Sequence, residues 1–467
     1  MRSVKFAIAL LAAGTALVAV EAGTAQTVPA AEPTGDAMLA IGAKERAREM
    51  QLLGITAFRP PAEAIDAASP AFANYDEAKA NPYPKLPPLL ITASGQKITT
   101  TDQWWKTRRP EIARIFETQV YGRVPDNVPA LTWRVAETVE QEIGGIPAIT
   151  RKMIGRVDNR AAPGITVEIQ ANVTTPKAMQ GHRVPAILAF ARPQRRARPG
   201  SLPVVVLPPG PEYRTQLLQN GWGVIELDVD SIQPDNGAML ERGIIGLTNK
   251  GQPRALDQWG AVRAWAWGAS RTLDALQDSD AIDPNRVGIF GHSRTGKAAL
   301  VAMANDDRFK VGYLSASGMG GTNLYRRNYG EPVQNLAALT EYFWYAGNAL
   351  RMSAVGKTPD DLPFEAHWML ALVAPRPVFI SGGPLILEPR DQTPGDAWQD
   401  VGGMFKSAVA ASPAWALLGA KGIQTATMPP RLTYLGKGDI GFREHEYGHT
   451  PAPNWPHFIR FASKYLD

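Results

Sequence analysis

The 467-residue chain contains no cysteine. Disulfides, thiolate metal sites and cysteine nucleophiles are therefore excluded, and a chain this long needs no staple to bury a core. Histidine is scarce, with six residues in all, so an imidazole base must come from a short list. Long apolar runs are also few. One stands at the start, Phe6 to Val20, and none that would span a membrane with about 20 residues follows it. Charge imbalance is slight: 49 basic and 44 acidic residues leave a formal +5. No basic run accompanies that excess, so nucleic acid is not expected as a partner.

The first 25 residues join a basic head (Arg2, Lys5) to the apolar run and to the small residues Gly23-Thr24-Ala25. This is the pattern of a secretory signal, and cleavage is expected near Ala25. A soluble protein follows, periplasmic or secreted, without membrane attachment once the signal is removed. Residues 26–100 are rich in Ala and Pro and read as an N-terminal arm, with a helical candidate at 43–53. From Thr101 the pattern changes. DQWWKTRRPEIARIFETQVYG places Trp105, Ile112, Ile115 and Phe116 at helical spacing, and residues 101–467 read as one catalytic domain.

Strand signals begin with LTWRVAETV, ITRKMIG, ITVEIQANVTT and VPAILAFA. They continue in LPVVVLPPG, GWGVIELDV, RVGIFG, KVGYLSAS and RPVFISGG, separated by helix-length segments such as 257–277 and 296–304. Alternation of this kind predicts an α/β fold in which helices cover both faces of a mainly parallel sheet.

Within it, RVGIF reads as a strand and TGKAALVAMA as a helix, with GHSRTG between them. Ser293 therefore falls on a strand-to-helix turn, the setting of a nucleophile elbow. There the hydroxyl is pushed out of the sheet edge, and backbone N–H groups at the helix start face a developing oxyanion. The spacing is G-x-S-x-x-G, one residue longer than the common form, and a serine before a helix is also an ordinary cap. Arg294 would set a guanidinium beside the oxyanion, either to stabilise it or to hold a charged substrate.

In sheet hydrolases the base comes last in chain order, on a loop after the final strand. LTYLGKGDIGFREHEYGHTPAPNW offers His445 and His449, and the Tyr447-Gly448-His449-Thr450 context favours His449. His457 lies in a helical pattern, and His292 packs beside the serine. For the acid, the segment after RPVFISGG carries Glu388, Asp391, Asp396 and Asp400.

These residues resemble the glucuronoyl esterases of carbohydrate esterase family 15, in particular bacterial members. The resemblance rests on VYGRVP, GHSRTGK, SGMGG, LPFEAHWMLALVAPRPV, DAWQD and YGHTPAPNWP, and it covers most of the chain after about Thr101. It implies an α/β-hydrolase fold, a three-layer αβα sandwich, with Ser293 as nucleophile, Arg294 as oxyanion stabiliser and His449 as base. It further implies uronate contacts from Lys297, Gln334 and Glu341, and stacking of the sugar on Trp398. Many family members carry the catalytic Glu directly before S-G-x-G-G, where this chain has Ala316. The acid is then expected from the later loop, with Asp396 first, Asp400 second and Glu388 third.

The resulting expectation is a monomeric exported serine esterase, without metal or organic cofactor, acting on 4-O-methyl-glucuronoyl esters of glucuronoxylan in lignin–carbohydrate linkages. Two other readings use the same residues: an acetyl-xylan esterase or other deacylase, and a non-catalytic saccharide-binding protein on a degenerate hydrolase fold.

Overall fold

A computed structural model describes residues 35–191, 212–386 and 394–467. The expected signal, the strand expected over LPVVVLPPG, and Glu388 and Asp391 lie outside them. The described strands form one nine-stranded sheet: β1 (Leu131–Ile143), β2 (Ile146–Val157), β3 (Glu168–Pro176), β4 (Val184–Ala191), β5 (Gly223–Asp228), β6 (Ile282–His292), β7 (Gly312–Ser315), β8 (Val378–Gly382) and β9 (Ile440–Glu444). Their order across the sheet is β1-β2-β3-β5-β4-β6-β7-β8-β9.

Strands β1, β2 and β3 pair antiparallel with one another, and β3 pairs antiparallel with β5. From β5 across to β9 every neighbouring pair is parallel. The parallel region is covered on both faces, and its strands show why. Along β4, Ile187 and Ala189 join an aromatic cluster built on the helix Trp455–Leu466, whereas Ala186, Leu188 and Phe190 face the larger core on the other side. Successive side chains point to opposite faces, so a strand apolar at every position needs cover on both. The larger core receives the helices Ala261–Ala275, Arg294–Asn305 and Val401–Leu417. The three-layer αβα arrangement expected from the sequence is thus present.

One expected face is shifted. Trp104 is fully buried in place of Trp105, which is 39% exposed and lies under the Arg109 guanidinium. The segment Trp104–Arg108 is a π-type turn between two α-helical stretches. Its wider winding carries Trp104 onto the buried row of Arg108, Ile112 and Phe116, which are spaced four residues apart.

The described part of the N-terminal arm begins with the helix Gly35–Leu53, longer than the 43–53 candidate. An ion pair ties it down: Arg254 Nε donates to Glu49 Oε1 at 3.0 Å, with both side chains fully buried. Burial raises the Glu49 carboxyl above the usual range, and Arg254 opposes that shift. Tyr342 Oη donates to the Gly42 carbonyl, and Arg46 Nη1 to that of Ala337, adding two anchors. Among the described residues no helix is long and apolar enough to cross a membrane.

Removing one partner of a buried ion pair leaves the other charge uncompensated. Arg254→Met is therefore expected to destabilise the fold by about 3 kcal/mol in chemical denaturation. It should also speed limited proteolysis near Gly54, and Arg254→Met combined with Glu49→Met should recover much of the loss.

Candidate active site

Strand β6 stops at His292 and the helix Arg294–Asn305 starts two residues later, so Ser293 makes the whole turn. It does so with φ 59° and ψ −129°, a strained conformation for a residue with a side chain. The serine makes no side-chain cap bond to the helix. Its N–H donates to the Ser315 carbonyl at 2.9 Å, which fixes the turn to the end of β7. Thr295 closes it from the other side. Its Oγ1 accepts from the His292 N–H at 3.0 Å and donates to the His292 carbonyl at 2.8 Å.

Both glycines of the motif serve close approach. A Cβ at Gly291 would run into the Thr295 carbonyl in the first helical turn, and one at Gly296 would stand 2.9 Å from the Ser315 carbonyl. The longer G-x-S-x-x-G spacing thus follows from packing. The first glycine admits the helix to its own strand, and the second admits it to β7.

Beyond β9, the loop brings His449 against the residue that precedes the serine. Its ring lies against that of His292, centroids 4.3 Å apart, next to the serine. His449 Nδ1 and Asp396 Oδ1 are 2.5 Å apart. With Nδ1 turned to a carboxylate, Nε2 lies on the opposite edge of the ring, the arrangement a serine-activating base requires. Asp396 is fully buried, and its Oδ2 accepts the Gly383 N–H at 2.8 Å, just past the end of β8.

His445, the other candidate base, is fully buried behind this acid with Nε2 3.7 Å from Asp396 Oδ2. Its Nδ1 accepts the Tyr447 N–H at 3.1 Å, and burial pushes its pKa below the ordinary imidazole value. His292 is held well below that value too, first by burial and then by the neighbouring His449 and His445. Its Nδ1 lies 3.0 Å from Ser315 Oγ, so it serves as a neutral packing partner.

Asp400 is engaged elsewhere. It receives a bidentate pair from Arg327, Nε and Nη2 each at 2.8 Å, and caps the helix Val401–Leu417 through the Gly403 N–H. Arg327 also reaches Glu77 of the N-terminal arm, which its guanidinium holds down to about 2.

Arg294 and Lys297 project from the first turn of the helix after the serine. Arg294 Nη1 donates to Asp235 Oδ2 at 2.7 Å, and its guanidinium lies 4.8 Å from the centre of the Trp344 ring. Lys297 is buried, with Nζ donating to the Ser317 carbonyl at 2.9 Å and 5.8 Å from that same ring. Burial lowers its pKa, against the opposing charges of Glu331 and Glu341. Burial, and then Glu331, hold the Glu341 carboxyl well above the usual range. Lys297 is therefore not a solvated surface charge. Gln334 and Trp398 are half-buried, and the Trp398 carbonyl accepts the Glu331 N–H at 2.8 Å.

A family described as "Glucuronyl esterase, fungi" matches residues 161–393. The fold is similar to a carbohydrate esterase family 15 glucuronoyl esterase from Teredinibacter turnerae T7901, with 38% identity and a TM-score of 0.82 over 91% of this chain and 99% of that one. The chain belongs to the glucuronoyl esterases of carbohydrate esterase family 15. A carbohydrate esterase from an unknown prokaryotic organism is 29% identical over 85% of this chain and 93% of its own length. The 4-O-methyl-glucuronoyl methylesterase of Hypocrea jecorina is 25% identical over 82% and 70%.

In this glucuronoyl esterase family member, Asp235 and Trp344 beside Arg294, and Glu331 near Lys297, carry no signal in the sequence. Asp235 lies in SIQPDNGA, which reads only as a turn, and Trp344 follows Glu341 in an aromatic run without periodicity. Nothing local marks either one as a neighbour of Arg294.

The glycine geometry carries a test. Gly291→Ala forces a methyl into backbone and should yield little folded esterase, whereas Gly296→Ala, whose contacts are less severe, should fold with a reduced melting temperature. Soluble yield and thermal melting of the two variants check this order.

Proposed function

We propose that this carboxylic ester hydrolase is exported and cleaves the ester between a 4-O-methyl-glucuronoyl group of glucuronoxylan and a lignin alcohol. One observation carries the reading: the strained Ser293 turn follows His292, whose ring packs against a histidine bound to a buried carboxylate, and Arg294 and Lys297 leave the first turn of the helix that the serine opens.

In this mechanism Ser293 Oγ attacks the uronoyl carbonyl while His449 Nε2 takes its proton. Asp396 keeps the imidazole oriented and stabilises the imidazolium. Negative charge on the carbonyl oxygen is received by Arg294 and by N–H groups at the helix start. His449 then protonates the departing alcohol. Water, deprotonated in turn by His449, attacks the acyl-serine and releases the uronic acid. Lys297, Gln334 and Glu341 would bind the sugar hydroxyls, with Trp398 against the ring face. A Glu341 carboxyl that retains its proton can donate to a hydroxyl as well as accept from one. A simple deacylase would leave these groups without a sugar to hold.

Ser293→Ala should abolish hydrolysis of benzyl glucuronate, and the wild-type enzyme should prefer that ester to simple acetates. Asp396→Asn should lower kcat by about 10³-fold or more, the scale seen when a triad acid is lost. Asp400→Asn should keep its left-handed backbone and cap, since Asn suits both. It loses charge opposite Arg327, so it should lower the melting temperature far more than kcat. Full activity of Ser293→Ala, or preference for acetates, would sink the proposal.

A further inference from the structure

The guanidinium beside Ser293 is held by a residue outside the proposed triad and sugar pocket. Asp235 lies in the segment after β5, and its side chain is only 1% exposed although the Arg294 side chain is 37% exposed. It makes two bonds of 2.7 Å, Oδ2 accepting from Arg294 Nη1 and Oδ1 from Trp344 Nε1. Its own N–H donates to Asp230 Oδ1 at 3.0 Å, so the carboxylate is anchored from its backbone side. One buried carboxylate therefore bridges the residue after the serine to the aromatic ring beneath that residue.

A cation in the first turn of a helix is disfavoured by the helix dipole, and a long arginine side chain there has many conformers to choose from. Held at one Nη by a charge-assisted bond and with its plane beside an indole, the guanidinium has its direction set. It retains further N–H donors in a rigid fork for an oxygen that turns negative only as the reaction proceeds.

We propose that Asp235 is a positioning residue for the esterase reaction. It acts through Arg294, setting the guanidinium in advance for the developing oxyanion, with Trp344 as the shared wall. This inference rests on the reading of Ser293 as nucleophile.

The test measures kcat and KM on benzyl glucuronate for the full chain. Arg294→Ala should lose about 100-fold in kcat, the scale of one oxyanion donor. Asp235→Asn, close to isosteric, should lose about tenfold or more in kcat with KM changed little, as expected for a partner acting through the group it orients. Asp235→Glu should recover part of the loss, because it restores the charge. Trp344→Phe, which removes the indole N–H and keeps a ring, should show a smaller loss of kcat in the same direction. It also serves if the Asp235 variants fold poorly. The deciding measurement is Asp235→Asn in the Arg294→Ala background, where it should have no further effect. Wild-type kcat in Asp235→Asn, or an undiminished loss in that background, would overturn the proposal. Ser293→Ala run alongside separates the cases: if it is inactive while Asp235→Asn is wild-type, only this inference falls, and if it is active, the reading beneath it falls.

Discussion

The mouth of the sheet depends on one backbone conformation, that of Ser293. A non-glycine residue in a strained region costs about 1–3 kcal/mol and persists only where its surroundings over-determine it. Here they do so from three sides. The Ser315 carbonyl takes the serine N–H, Thr295 exchanges hydrogen bonds with His292, and Gly291 lets the helix come within backbone contact of its own strand. Because the helix begins at the next residue, Arg294 and Lys297 leave it one turn apart and share the Trp344 ring. The turn, the charge next to it and the buried lysine one turn on are therefore consequences of a single chain reversal.

Around that turn, the charges taken out of water are matched. Lys297 stands with Glu331 and Glu341, Arg294 with Asp235, Arg327 with Asp400 and Glu77, and Asp396 with His449. An unpaired ion at this depth would be expelled or neutralised, so each buried member constrains where its partner can be. The two aspartates of DAWQD show the effect over four residues. One is drawn to a histidine from beyond β9 and the other to an arginine from the long connection between β7 and β8. Arg327 in turn reaches the N-terminal arm through Glu77, which ties residues far from the serine to the segment that bears Asp396 and Asp400.

Much of the fold was legible in the sequence because parallel strands buried on both faces are apolar throughout, and the helices between them have their own period. The π-type turn at Trp104–Arg108 was not legible, since its widening leaves the residue pattern helical while rotating one tryptophan for another. Ser293, Arg294, Lys297 and His449 stood out because strand, turn and helix are consecutive around the serine and all four lie within short motifs. Asp235, Glu331 and Trp344 did not, as each meets the site across a gap in sequence with no local sign of it.

By itself, then, the sequence determined the elements that are local: the strand-turn-helix around Ser293, the alternation that makes the sheet, the absence of thiol chemistry and the few histidines able to act as a base. Only the tertiary structure decided which carboxylate meets His449, which one clamps Arg327 and which one holds Arg294. The physical reason is that a carboxylate on a loop looks the same in sequence wherever it goes. Its role is set by the buried charge it is folded against.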